Sequence, residues 1–421
     1  MRAGPVWMWC LRASVLAWAS LVLIGPAAAS ARPAVAGPVT GTGPVIGCPG
    51  CFAPVYSAAK VTSAVDAAYH EFTASTLVHG MAVAVISPLG DGALTTTTLE
   101  FGDAKIEVGR TGQTIATPVT ASTQFEIGSE TKVFTGALLA QAVEQGAVTE
   151  SEHVNKLAPA GDVPAGTGCA RAMTLKNLAT HRAGLPDDPP NFIHSSTGHR
   201  TYSSSDLFTG LADTALLFCP GSGWSYSDFG FGLLGTLLAQ TESTPFKTVT
   251  YGGLLDAQIT GPLEMTATEL EPYPTPPSTL ATPYTATGAV GWDWDNTDAM
   301  AGGGGLISSI TDMATFVRAQ LGDGPAAIVK TLKMTQVPVA PGMTGDSYFH
   351  MGLGWQIYYP ETGIRGHLLF KNGGTDGMSS ATLLVPKEHL GVTVLSNEPT
   401  GPNKVAFQIV EQLLGAPPVK T

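Results

Sequence analysis

The chain has 421 residues, of which 44% are hydrophobic and only 13% charged, with 33 acidic against 21 basic side chains and a formal net charge of −12. That composition can bury a large core, and its acidic balance disfavours nucleic acid and anionic membranes as partners. None of the nine histidines stands in a metal-binding spacing such as His-Glu-x-x-His, so neither a metal nor another cofactor is expected.

Residues 1–31 read as a secretory signal: Arg2 and Arg12 carry its charge, 13–24 is an unbroken run of small and apolar residues, and Ala29-Ser-Ala31 is a small-x-small cleavage site. The run is too short to span a bilayer, so export without a stable membrane anchor is expected. Removing the signal takes two of the 21 basic residues and none of the 33 acidic ones, leaving a net charge of −14. Residues 32–54 are rich in Pro, Gly, Val and Ala and read as a mobile leader. Val45-Ile-Gly-Cys48 has the form of a lipoprotein box but lies about twenty residues beyond the apolar run, too far to be lipidated as one. Cys48-Pro-Gly-Cys51 lacks the βαβ surroundings of a redox motif and is expected to close a small surface loop. Cys169 and Cys219 would then pair with each other, although four exported cysteines permit three connectivities and the sequence does not choose among them.

A helix is expected over 58–72, then strands over 81–86 and 94–101, where apolar and β-branched residues dominate. From Ser129 to about Asp298 the pattern is helices and loops, with helices over 129–146, 175–182, 204–212 and 229–240 and a Pro-rich loop over 271–283. Strands return over 352–358, 368–371, 380–385 and 392–396, and an amphipathic helix over 404–414 precedes a short tail, 416–421. Strands at both ends around a helical middle imply an α+β fold. One antiparallel sheet is built from both chain ends and flanked by helices (55–128 and 300–415), a central helical lobe spans 129–299, and a cleft lies between them. Together, 55–415 form a single catalytic domain.

Three short motifs carry chemistry. In Phe125-Glu-Ile-Gly-Ser-Glu-Thr-Lys132, a strand-like segment and a glycine lead into an apolar helix whose Ser129 and Lys132 share one face. Desolvation lowers a lysine's pKa and lets it accept a serine proton without histidine. Ser57-Ala-Ala-Lys60 has the same spacing but follows a Gly/Pro-rich stretch, and reads as a helix cap with a solvated lysine. Trp224-Ser-Tyr-Ser-Asp228 precedes a Gly-rich apolar helix, where a tyrosine ordinarily packs or caps. Phe370-Lys-Asn-Gly-Gly-Thr375 ends a strand with a lysine and two glycines, which suits close approach of backbone N–H groups to a ligand as well as a plain turn.

Together and in this order, the three motifs resemble the serine β-lactamase and penicillin-binding-protein superfamily, specifically its class C branch with the D-alanyl-D-alanine carboxypeptidases. That family carries Ser-x-x-Lys, Tyr-x-Asn and Lys-Thr-Gly or His-x-Gly. Leu178-Ala-Thr-His-Arg-Ala-Gly-Leu-Pro186, Pro262-Leu-Glu-Met265, Ala301-Gly-Gly-Gly-Gly-Leu-Ile-Ser-Ser309 and Gly374-Thr-Asp-Gly-Met-Ser-Ser380 extend the likeness over roughly 75–415. No Gly-x-Ser-x-Gly elbow of the α/β-hydrolases is present.

The resemblance implies Ser129 as acylated nucleophile, Lys132 as its base and Tyr226 as proton relay to the leaving group and later to water. It implies Lys371 as the cation that meets a substrate carboxylate, with Asn372, Gly373 and Thr375 beside the substrate, and the N–H groups of Ser129 and Gly374 as oxyanion hole. His181 in the Leu-x-x-His segment is expected to be structural. Two departures bear on the substrate: Asp228 replaces Asn and places a negative charge near Lys132, and Asn372 replaces Thr. The implied substrate is a D-alanyl peptide or β-lactam, with an ester or a non-catalytic binding role on the same scaffold as alternatives.

Overall fold

The apolar runs at the two ends of the chain pair into one antiparallel sheet of nine strands. Its order is Thr114–Pro118, Leu94–Val108, Gly80–Pro88, Leu390–Ser396, Ser379–Val385, Leu368–Gly374, Gln356–Tyr358, His350–Met351 and Ala340–Pro341. A computed structural model describes residues 55–74, 79–89, 92–159, 168–192, 202–270, 275–285, 299–342, 349–360, 364 and 366–415. The signal 1–31, the leader 32–54 with Cys48 and Cys51, the tail 416–421 and part of the Pro-rich loop lie outside the described residues.

Gly80–Pro88 sits mid-sheet, with Met81 opposite both Phe101 and Ser396. It is buried along its whole length because helices cover both faces of the sheet. Met81, Val83 and Val85 pack with Val61, Val65, Val405 and Ile409 of the helices Ala58–Thr73 and Pro402–Leu414. The alternate residues Ala82, Ala84 and Ile86 join Phe316 and Val317 of Ile310–Leu321 and the rest of the core. The expected α+β architecture, with its sheet from both chain ends, is therefore present.

The helices Ile310–Leu321 and Ala326–Thr335 were not expected, and four further elements differ from the sequence expectation for physical reasons. The second strand runs on to Val108 past a register shift between Asp103 and Lys105, pairing there with Thr114–Pro118, whose exposure left no apolar alternation to read. The expected strand 352–358 folds back on itself as His350–Met351 and Gln356–Tyr358. The helix expected over 175–182 stops at Ala179, because His181 adopts a left-handed backbone (φ 57°). Leu306–Ser309, in the Gly-rich segment, is a strand between Gln124–Glu126 and Glu269–Leu270, a small second sheet that was not expected.

Cys169 and Cys219 form a disulfide with their Cα atoms 5.5 Å apart. It joins the segment before Leu175–Ala179 to the loop that leads to Tyr226. Closing a loop across a sequence separation of 50 residues restricts the unfolded chain by roughly 4 kcal/mol in the chain-entropy picture. Replacing both cysteines by serine is expected to cost about 2–4 kcal/mol of unfolding free energy, read as a lower urea midpoint with a slope that is unchanged or steeper as the unfolded chain expands. An unchanged midpoint contradicts this.

Candidate active site

Ser129 is set by backbone packing on both sides. Ile127 ends the strand Gln124–Glu126 by donating to the Leu306 carbonyl, and its own carbonyl accepts from Ser380 Oγ at 2.8 Å. Gly128 then turns with φ 49° into the short 3₁₀ segment Gly128–Glu130, which runs on into the buried helix Thr131–Glu144. A Cβ on Gly128 would lie 2.7 Å from Gly374 N, and one on Gly373 would lie 1.8 Å from the Ile127 carbonyl oxygen and 2.8 Å from Ser129 N. Only glycines allow this approach, which packs the turn carrying Ser129 directly against the Gly373–Gly374 backbone.

Lys132 is fully buried one turn into the helix. Its Nζ donates to Ser129 Oγ at 2.9 Å, to Asp228 Oδ1 and to the Gly303 carbonyl, which accounts for all three ammonium protons. It also sits 4.8 Å from the centroid of the Tyr226 ring. Burial draws the lysine pKa down, but the Asp228 carboxylate and the Tyr226 hydroxyl together more than offset it and the net shift is upward. The free amine expected from desolvation alone is thus displaced by an ion pair, because Asp228 supplies the counter-charge that Asn would not.

Tyr226 Oη donates to Ser129 Oγ at 2.5 Å. The loop holding it is clamped by His181: Ser225 N donates to the His181 carbonyl at 2.9 Å and Ser227 N to His181 Nδ1 at 3.1 Å, while the two rings lie 4.5 Å apart. Burial, with Lys132 and Lys371 adding to it, holds His181 well below the usual histidine range, so the ring stays neutral and accepts. Ser227 Oγ caps the helix Asp228–Thr241, and Asp228 N donates to Asp187 Oδ1 at 3.1 Å. Burial pushes the Tyr226 phenol up against the pull of Lys132, so it rests protonated.

An open cavity of about 400 Å³ lies against these groups, lined by Ser129, Tyr226, Asn372, Gly373 and Gly374, as expected. Ser379 and the segment 399–403 also line it and were missed, although Pro399-Thr-Gly-Pro402 between a strand and the last helix is a legible break in pattern. Lys132 and Asp228 sit behind Ser129, away from the lining. Lys371 is nearly buried, its Nζ donating to the Asn372 carbonyl at 2.6 Å and lying 5.6 Å from the Tyr226 ring centroid. Burial, then Lys132, draws it down to about 7. Thr375, expected beside the substrate, instead closes the hairpin turn: its N donates to the Met378 carbonyl, its Oγ1 accepts from Met378 N at 3.2 Å, and it does not line the cavity. Ser57 only caps the helix Ala58–Thr73, and Lys60 donates to the Leu413 carbonyl. Among the described residues no three His, Cys, Asp or Glu side chains gather as metal ligands, and no helix is long and apolar enough to cross a membrane.

Residues 65–415 match the family model described as Beta-lactamase. The chain is 27% identical over 331 residues to a protein named Beta-lactamase from Escherichia coli (strain K12), covering 71% of this chain and 81% of the relative. It is 29% identical over 283 residues to the D-alanyl-D-alanine-carboxypeptidase/endopeptidase AmpH of the same strain, covering 64% of this chain and 69% of the relative. Protein flp from Staphylococcus aureus (strain MRSA252) is 25% identical over 285 residues, 66% of this chain and 53% of that protein.

Proposed function

This chain belongs to the Beta-lactamase family, and we propose that it is a secreted serine hydrolase that cleaves D-alanyl-D-alanine peptides through an acyl-enzyme. The observation that carries this reading is Ser129 Oγ held at once by Lys132 Nζ and Tyr226 Oη at the wall of an open cavity. In the form in which Lys132 has lost one proton, Ser129 Oγ attacks the carbonyl carbon as its proton passes to Lys132 Nζ, which then reprotonates Tyr226 as Tyr226 acts as acid. The carbonyl oxygen becomes an oxyanion beside the N–H groups of Ser129 and Gly374. The C–N bond then breaks, Tyr226 delivers the proton to the departing amine, and an ester to Ser129 remains. Water then adds to the ester, giving up its proton through Tyr226, and the acid leaves as Ser129 regains its hydrogen. A β-lactam follows the same path and differs in how fast water reaches the ester.

The reading is tested with the mature protein on a D-alanyl-D-alanine peptide, a chromogenic cephalosporin and a p-nitrophenyl ester, with Ser129→Ala as control. Peptide turnover is the expected result. Fast turnover of the cephalosporin alone would make the protein a β-lactamase, and turnover of the ester alone an esterase. The export reading is tested by sequencing the N-terminus of protein collected outside the cytoplasm, where a start at Arg32 is expected.

Lys371 is expected to serve recognition of the substrate carboxylate. Lys371→Ala should cost about ten- to a hundredfold more in kcat/KM on the peptide acid than on its neutral amide, since a charge-assisted contact contributes roughly 1.5–3 kcal/mol. With Lys371 drawn down to about 7, wild-type preference for the acid should be full below that pH and fade as pH rises through it. Equal losses on both substrates would assign Lys371 to the chemistry or the fold.

A further inference from the structure

We propose that Glu130, the residue after the nucleophile, is the counter-ion that keeps Lys371 charged and so sets the preference for carboxylate-terminated substrates. The inference rests on the peptidase reading above for its substrate, but not for the charge relation itself. Glu130 is completely buried, where a carboxylate is rare without a partner of opposite charge. Its Oε2 accepts from Thr382 Oγ1 at 2.7 Å and the Ser380 hydroxyl also stabilises its charged form, while among the described residues no geometric hydrogen bond reaches Oε1. Thr382 is the direct cross-strand partner of Lys371. Paired residues project from the same face of a sheet with Cβ atoms about 5 Å apart, so the Glu130 carboxylate lies on the face from which the Lys371 ammonium projects.

The lysine side of the pair is equally short of partners. Asn372 O is the acceptor that the described residues provide for Lys371 Nζ, leaving two ammonium protons to be stabilised by field alone. The other groups facing Lys371 are Lys132, Asp228, Tyr226 and His181. Lys132 and Asp228 are already engaged with each other, and Tyr226 and His181 rest neutral. Glu130 is therefore the negative charge available to Lys371. Burial pushes Glu130 up to about 7 and draws Lys371 down to about 7, so each ionises in the same interval and each charge supports the other. A positive charge beside Tyr226, which lines the cavity, is then maintained from the same face of the sheet by a residue that touches no substrate.

Glu130→Gln is the test, because it removes the charge and keeps an oxygen for the Thr382 hydroxyl. The Lys371 signal, in protein carrying ¹³C at lysine Cε and assigned through Lys371→Met, is titrated by NMR in both forms. In the variant Lys371 should lose its proton at a pH lower by about one unit. Correspondingly, the ratio of kcat/KM on the peptide acid to that on its amide should begin to fall about one unit earlier, with the amide itself little affected. Glu130→Asp should restore much of the wild-type titration. If Glu130→Gln does not fold, Thr382→Val, which releases the carboxylate from its anchor, is read in the same way. A Lys371 titration unchanged in the variant overturns the inference. Failure of both peptides to turn over, with the Lys371 shift present, overturns the peptidase reading and leaves the charge relation standing.

Discussion

Ser129→Ala is expected to abolish covalent labelling by a fluorophosphonate or a fluorescent penicillin and to lower kcat/KM by about 10⁴-fold or more on whichever substrate the wild type cleaves. Ser129 is the serine whose oxygen receives both a buried ammonium and a half-buried phenol at the cavity wall. In the proposed mechanism its backbone N–H joins that of Gly374 in stabilising the oxyanion. The loss should be one of chemistry and not of folding. Lys132 keeps Asp228 and Gly303 in the variant, and thermal unfolding should shift by no more than a few degrees. Ser57 provides the internal control, since its hydroxyl serves only the N-cap of an exposed helix end. Mass-spectrometric mapping of the labelled peptide decides the matter. A label on Ser57, or labelling that survives Ser129→Ala, would sink the assignment.

Asp228→Asn should produce the second large effect, on the pH at which the enzyme becomes active. The carboxylate favours the Lys132 ammonium, and a unit charge about 4 Å away at an effective dielectric near 20 contributes roughly 4 kcal/mol. Since the ammonium donates all three protons in the resting site, catalysis requires that one be lost, and wild-type kcat/KM should rise toward alkaline pH. With Asn at 228 the Asp228 charge is gone and burial, the largest influence on Lys132, is opposed by Tyr226 alone, so the rising limb should move to lower pH by one unit or more. Stability supplies an independent sign. In the variant burial favours a folded lysine pKa below its unfolded value, so stability should climb as pH rises toward that unfolded value, whereas in wild type the raised pKa keeps the pair's contribution intact over the same range. Superimposable pH–rate profiles for the two proteins would show that Asp228 does not control the base. Because the peptide acid also needs charged Lys371, its profile should be bell-shaped while that of the neutral amide simply rises.

The main helices and strands at the two ends, the sheet they form and the three motifs were legible in the sequence, because each rests on local pattern, whereas the helices Ile310–Leu321 and Ala326–Thr335 were not read. Apolar runs bounded by turn residues mark strands, 3.6-residue periodicity marks helices, and Ser-x-x-Lys spacing puts two side chains on one helical face. What separates Ser129 from Ser57 is not local. Both cap or open a helix with a lysine three residues on, and only tertiary packing buries Lys132 against Asp228 and Gly303 while leaving Lys60 at the surface. The same holds for charge. Sequence supplies the ionisable groups, but whether Lys132 is ammonium or amine depends on a residue 96 positions away, and the field at Lys371 on Glu130, which reaches it through a strand pairing. The turn role of Thr375, the second small sheet and the cavity wall at 399–403 were likewise decided by chain crossings that leave no periodic trace. Electrostatic energy depends on separation and on burial in space, and neither is written in spacing along the chain.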